Sequence, residues 1–86
     1  MERSVAREKD KVLGAAVADA RKAKGYTQHQ LARLVQYDQT TISKIETGRR
    51  RLGVLEFLEL AAVLDLSYEE VLDVIRNELP STPRRA

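Results

Sequence analysis

The sequence predicts an all-α protein, folded as one compact domain of five helices. Three observations support this prediction. Apolar residues recur at steps of three and four in five separate segments. Helix-capping signals stand at the ends of several segments, and two of the segments are short and separated by only a tight turn. With 86 residues the chain has room for one small domain, which we expect at residues 11–79, between an N-terminal segment (1–10) and a tail (80–86).

The first helix is predicted from an apolar stripe with helical spacing, formed by Leu13, Val17 and Ala20. Gly25 lies just beyond this stripe and can adopt the left-handed conformation that ends a helix. Two alternatives remain for the beginning. Ser4 can cap an extension of the helix, or residues 1–10 can form a loose basic arm.

The second and third helices are short, and each has an N-terminal capping signal. Thr27 and Gln30 have the spacing of a capping box, in which each side chain accepts a hydrogen bond from the other residue's backbone N–H. Asp38 is expected to cap the third helix, from Gln39 to Glu46. The apolar edges consist of Leu31, Ala32 and Val35 in the second helix and Ile42 and Ile45 in the third. Helices of two turns do not persist alone, so both depend on tertiary contacts.

The fourth and fifth helices follow a stop at Gly48 and an exposed basic loop, Arg49-Arg50-Arg51. The helical period of the fourth is carried by Val54, Phe57, Leu58, Ala61 and Leu64, with Leu60 broadening the stripe. Ser67 and Glu70 form a second capping box and open the fifth helix. Pro80 and Pro83 end it, and we expect residues 80–86 to be disordered.

The composition excludes several classes of chemistry. The absence of cysteine removes disulfides, thiolate zinc sites and cysteine nucleophiles. His29 is the single histidine, which leaves no histidine pair for a metal and no Ser/His/Asp triad. We therefore expect no enzyme, no metal and no cofactor. The sequence has neither an apolar run of about eighteen residues nor a secretory signal, so we expect a cytoplasmic protein without a membrane segment.

Charge is distributed unevenly along the chain, although the net charge is only +2. Residues 1–51 contain twelve basic and six acidic residues, whereas residues 52–79 contain one basic and seven acidic residues. A basic front half is the footprint expected when one face of a protein meets a polyanion. A well-solvated surface without a partner is the alternative.

Two short helices joined by a tight turn, the second with polar residues beside a basic loop, are typical of a helix-turn-helix that reads the DNA major groove. The stretch from Leu13 to Ile75 also resembles a known family. The matching residues are Gly25-Tyr26-Thr27-Gln28, Leu31-Ala32, Thr41-Ile42-Ser43, Ile45-Glu46, Gly48 and Leu60-Ala61. They resemble the phage-repressor, Cro-like (xenobiotic-response-element type) helix-turn-helix regulators. This resemblance implies a five-helix, lambda-repressor-like domain that binds operator DNA, usually as a homodimer.

The resemblance also implies roles for individual residues. Four positions of the third helix would face base edges, namely Gln39, Thr40, Ser43 and Lys44, whose groups can pair with bases in the major groove. Five would contact DNA phosphates, namely Gln28, Thr41, Arg49, Arg50 and Arg51. Gln28 would in addition brace the recognition helix. Arg21 and Glu46 match an ion pair that links the first helix to the end of the third. An ordinary solvated polar face stays open as the alternative.

The chain departs from the family pattern at two places. Position 36 in the turn is usually glycine because the backbone there is left-handed, so Gln36 would carry a strain of roughly 1 kcal/mol. Leu52 and Gly53 stand where relatives often have proline and then serine. The fourth helix therefore lacks its usual fixed entry and side-chain cap.

A single reading helix contacts only a few base pairs, so we expect two copies on half-sites about one helical turn apart. The predicted dimer interface is the apolar seam of the fifth helix, formed by Tyr68, Leu72, Ile75 and Leu79. The alternative is that this seam completes the monomer core.

The function predicted from the sequence is sequence-specific binding of double-stranded DNA in transcription control. We expect a repressor that acts as a homodimer on a palindromic operator, with activation left open. The alternative is an antitoxin-like or adaptor protein whose main partner is a toxin or another protein.

Overall fold

The computed structural model describes the backbone of residues 2–78 and the side chains of residues 8–73 and Arg76. Five helices follow one another: α1 (Glu2–Ala23), α2 (Gln28–Val35), α3 (Gln39–Glu46), α4 (Val54–Leu64) and α5 (Tyr68–Glu78). No strand occurs within residues 2–78. The prediction of an all-α, five-helix fold is confirmed. The predicted tail, residues 80–86, lies outside the described residues.

The hydrophobic core lies where the first four helices meet. Its buried members are Val17, Leu31, Ala32, Ile42, Ile45, Leu60 and Leu64. Helix α1 packs against α3, α4 and α5, and α2 packs against α3 and α4. Because α2 and α3 each bury only two residues, α1 and α4 hold this pair of short helices in place.

Glycine allows α1 and α3 to approach each other closely. A Cβ on Gly14 would lie 2.1 Å from the carbonyl oxygen of Ile45 and 2.9 Å from that of Glu46. No larger residue fits there without moving one of the helices. The C-terminal end of α3 therefore rests directly on the backbone of α1.

Two of the predicted caps are present and one is not. In α2, the N–H of Gln30 donates to Thr27 Oγ1 over 3.0 Å and the N–H of Thr27 donates to Gln30 Oε1 over 2.9 Å. Ser67 and Glu70 form the corresponding pair of bonds before α5. Asp38 occupies the N-cap position of α3, but its exposed side chain makes no capping hydrogen bond. The prediction of a side-chain cap at Asp38 is wrong.

The turn between α2 and α3 passes through Gln36, which has the left-handed conformation expected at this position (φ 63°, ψ 42°). The next residue, Tyr37, donates its N–H to the carbonyl of Ala32 over 2.8 Å and thereby closes the end of α2. Glutamine is strained in this conformation by roughly 1 kcal/mol. The surrounding packing stabilises the turn enough to tolerate this cost.

The apolar stripe of α4 is buried only in part. Leu60 and Leu64 are buried, whereas Val54 is 77% exposed and Leu58 is 54% exposed. The stripe predicted for this helix therefore included two residues that lie on the surface, and Leu60, expected only to broaden it, belongs to the centre of the core. The reason is that α4 packs on α1 and α2 along its C-terminal part, where Leu60 and Leu64 face the core cluster.

Candidate nucleic-acid interface

Helix α3 presents a polar face to solvent on the side opposite the core. Gln39, Thr40 and Lys44 are exposed, and Thr41 and Ser43 are half-buried. Ile42 and Ile45 are fully buried on the inner side. The structure thus places the residues predicted to face DNA bases together on one outer helix surface.

A partly buried ion pair fixes the end of α3 to α1. Arg21 donates from Nε to Glu46 Oε2 over 2.7 Å and from Nη2 to Glu46 Oε1 over 3.1 Å. The two side chains are only 11% and 5% exposed. Arg21 also donates from Nη1 to the carbonyl oxygen of Tyr26 over 2.8 Å. One guanidinium therefore joins α3, α1 and the turn before α2.

Gln28 extends this pair to the beginning of α3. Its Nε2 donates to Glu46 Oε1 over 2.9 Å, and its Oε1 accepts a longer bond of 3.4 Å from Gln39 Nε2. The Gln28 side chain thus connects the buried carboxylate with a predicted base contact. The family resemblance implied that Gln28 braces the third helix, and both bonds are to residues of α3. The sequence did not identify Gln39 as one of the partners, because residues on different helices have no fixed spacing.

The basic loop after α3 contains one arginine with a partner inside the protein and two exposed arginines. Arg50 donates from Nη1 and Nη2 to the two carboxylate oxygens of Glu56 over 2.8 and 2.7 Å. Arg49 and Arg51 are exposed. The three arginines of this loop, all predicted to contact phosphate, are therefore not equivalent, because the Arg50 guanidinium is already bonded to Glu56.

Glu56 holds both Arg50 and the first turn of α4. Its Oε1 also accepts a hydrogen bond from the N–H of Gly53 over 3.0 Å, at the position where the sequence lacks a side-chain cap. These hydrogen bonds lower the pKa of Glu56 to about 2; the bond from Arg50 has the larger effect and the bond from the Gly53 N–H the smaller one. Sequence reasoning missed this residue. The available signal was a glutamate three residues after the N-cap, the spacing of a capping box.

Tyr37 ties the turn of the helix-turn-helix to α4. Its hydroxyl donates to Glu59 Oε1 over 2.5 Å. Burial, and then the hydrogen bond to Glu59, raises the pKa of Tyr37 to about 12, because both disfavour the phenolate. The turn is therefore held by a side chain of α4 as well as by the core.

Two of the residues predicted for a dimer interface, Tyr68 and Leu72, line an apolar groove to which α3 contributes no residue. This groove of about 330 Å³ runs between α1, α4 and α5, and Leu13, Phe57, Tyr68 and Leu72 are among its lining residues. Tyr68 is 69% exposed and Leu72 is half-buried. The Ile75 side chain and Leu79 lie outside the described residues.

The described part of the chain offers no candidate for two other kinds of site. Its histidine, aspartate and glutamate side chains form no group of three that could hold a metal ion. None of its helices combines the length and the apolar character needed to span a bilayer.

Comparison with known proteins gives one consistent result. A family model described as helix-turn-helix matches residues 17–71. A helix-turn-helix-type transcriptional regulator from Sinorhizobium fredii is 34% identical over 62 residues, which are 72% of this chain and 80% of that protein.

Two solved structures are similar over most of the chain. The clp gene regulator ClgR from Corynebacterium glutamicum superposes with a TM-score of 0.76 and 25% identity, covering 84% of this chain and 92% of its own. The restriction-modification controller protein C.AhdI from Aeromonas hydrophila has a TM-score of 0.66 and 31% identity, covering 72% and 94% of the two chains.

Proposed function

The chain belongs to the helix-turn-helix family and is a DNA-binding transcriptional regulator, and from this premise we propose that it is a repressor that binds a palindromic operator as a homodimer. The observation that carries the proposal is the exposed polar face of α3, held in place by the partly buried Arg21–Glu46 pair and flanked by exposed arginines. The family is typically non-enzymatic. The chemistry we consider is therefore binding alone.

We assign base recognition to four residues of α3: Gln39, Thr40, Ser43 and Lys44. The amide of Gln39 can pair with N6 and N7 of adenine, and the methyl group of Thr40 can contact a thymine methyl. Lys44 can donate to O6 and N7 of guanine. Because Gln28 already accepts a hydrogen bond from Gln39, its side chain would orient the amide of Gln39 towards the base.

We assign phosphate contacts to residues at both ends of the helix-turn-helix formed by α2 and α3. Arg49 and Arg51 extend from the loop after α3 and would neutralise phosphate charge. Gln28 is the first residue of α2, where the free backbone N–H groups of the helix would face a DNA phosphate. Thr41 lies in α3 next to the residues assigned to the bases. Arg50 would have to leave Glu56 or share its guanidinium to act in the same way.

The proposed homodimer uses the seam of α5, with Tyr68 and Leu72 as its described members. Their position beside the apolar groove of α1, α4 and α5 supports this choice. Residues 52–79 carry most of the acidic side chains, so the face of α5 would stay away from DNA. Two copies would then place their α3 helices in successive major grooves, about one helical turn apart.

Occupation of a promoter by this dimer would exclude the transcription machinery, which is the simplest route to repression for a domain of this size. Genomic DNA as the ligand would place the protein in the cytoplasm.

The test is selection of bound duplexes from a random pool, followed by measurement of two variants on the selected site. We expect a palindrome. Gln39→Ala should cost about 1–3 kcal/mol on the preferred sequence and relax discrimination at one base pair. Arg49→Ala should weaken binding to all sequences alike and reduce the salt dependence by about one phosphate. Equal effects of both variants on every sequence would refute the assignment, and a sequence without dyad symmetry would refute the homodimer.

A further inference from the structure

The N-terminal half of α1 carries a lysine that lies directly against the loop after α3. Gly48 is buried and left-handed (φ 76°), and a Cβ there would lie 2.8 Å from the Cα of Lys11 and 2.9 Å from its backbone nitrogen. Arg49 is the next residue, with its Cα about 3.8 Å from that of Gly48. Lys11 and Arg49 therefore extend from neighbouring points of the surface, although they belong to different elements.

The side chain of Lys11 is exposed, and it forms no ion pair with any of the described side chains. In the turn after α1, the ammonium group of Lys24 pairs with Asp65. The acidic residues nearest to Lys11 in the sequence are Glu8, which is exposed one helical turn earlier, and Asp10, which is half-buried. The charge of Lys11 is thus available at the edge of the basic loop.

We infer that Lys11 is a further DNA-phosphate contact, and that it and Arg49 bind neighbouring phosphates of one DNA strand. This inference rests on the proposed function, because Arg49 serves as its reference point. A lysine ammonium is a compact charge on a flexible stem, and beside the basic loop it would reach a phosphate oxygen, since Lys11 lies outside the polar face of α3 that is assigned to the bases. Lys11 would therefore add affinity through counterion release and leave sequence preference unchanged.

The close packing of Gly48 on α1 is what brings this cation to the interface. Any side chain at position 48 would meet the backbone of Lys11, and the left-handed φ makes a substitution strained in addition. Direct contact between the loop and α1 means that Lys11 and Arg49 keep their relative position when DNA is absent. The two cations are preorganised for neighbouring phosphates.

The experiment is the salt dependence of DNA binding by the full chain, measured on the selected operator and on a scrambled duplex of the same length. Lys11→Gln should lower the magnitude of the slope of log K against log [salt] by about 0.9 on both duplexes. Lys11→Arg should restore the slope. Lys24→Gln is the matched control, since it removes the same charge from the turn after α1, where the ammonium group already pairs with Asp65, and it should leave the slope at the wild-type value.

Arg49→Gln separates this inference from the proposed function. If wild type binds with a steep salt dependence and Arg49→Gln lowers it, the proposed interface stands. A Lys11→Gln slope equal to wild type would then overturn the role of Lys11 alone, as would equal decreases for Lys11→Gln and Lys24→Gln. If neither wild type nor Arg49→Gln shows salt-dependent binding, the proposed function itself fails. Unchanged thermal unfolding of Lys11→Gln confirms that the comparison concerns folded protein.

Discussion

The substitution Gly14→Ala tests the contact that positions the reading helix. In an ordinary helix interior, alanine is favoured over glycine by about 1 kcal/mol, so helix propensity alone predicts a more stable protein. Here the added Cβ would lie 2.1 Å from the carbonyl oxygen of Ile45. That oxygen is part of a helix backbone and cannot rotate away, so α3 must shift relative to α1.

The magnitude follows from the difference between these two effects. Overpacking of a core contact costs about 1–3 kcal/mol, and a clash with backbone atoms belongs at the upper end of that range. Subtracting the gain in helix propensity leaves a net loss of about 2 kcal/mol in the free energy of unfolding, which is a large part of the stability of a domain of this size. Because α3 is displaced, operator affinity should fall as well.

The assay is urea unfolding followed by circular dichroism, with Ala15→Gly as the matched control. Ala15 is the exposed neighbour of Gly14, so this variant measures the propensity difference in the same helix without a change in packing, and it should lose about 1 kcal/mol. If Gly14→Ala instead gains as much stability as Ala15→Gly loses, α1 and α3 are not in close contact and the reasoning is refuted.

Three further predictions concern the elements that hold the interface. Arg21→Met leaves the Glu46 carboxylate buried without its main partner and should cost about 3–5 kcal/mol in urea unfolding, whereas the Arg21→Met/Glu46→Leu double variant should lose far less than the sum of the single changes; additive losses would contradict a coupled pair. Gln36→Gly relieves left-handed strain of roughly 1 kcal/mol and should raise the urea midpoint; a lower midpoint would show that the glutamine side chain stabilises the turn. The pKa of Glu56 is about 2 in the folded protein against 4.5 as its ordinary value, so the stability that this group contributes should be complete above about pH 4.5 and lost as the pH falls towards 2. The thermal unfolding temperature of Glu56→Gln should therefore change less with pH over this range than that of the wild type. If the unfolding temperatures of the two proteins changed with pH in parallel, a contribution of the Arg50–Glu56 pair would be excluded.

Local signals explain why much of the fold could be predicted. The capping boxes at Thr27 and Ser67 depend on residues three positions apart, and their bonds form within one helical turn. The left-handed turn at Gln36 has no such local signal and was expected from the family resemblance alone. Asp38 shows the limit of this reasoning, because a residue type suited to capping occupies the N-cap without making the bond.

The candidate interface was predictable as a set of residues but not as a set of contacts. The polar positions of α3 follow from helical spacing once Ile42 and Ile45 are assigned to the core. The partner of Arg50 could not be found in the same way, since Arg50 and Glu56 meet only when the loop folds back onto α4. The exposure of Val54 and Leu58 also depends on how far α4 extends beyond its neighbours.

The sequence by itself determined the helical class and the number of helices, because capping, periodicity and glycine stops act over a few neighbouring positions; the roles predicted for the polar residues of α3 came from the family resemblance. Only the tertiary structure decided which cations pair with a carboxylate inside the protein. Arg49, Arg50 and Arg51 are chemically identical, and so are Lys11, within α1, and Lys24, in the turn that follows it. What distinguishes them is whether a carboxylate or a loop from elsewhere in the chain lies within a few ångströms, and that is a property of packing between helices.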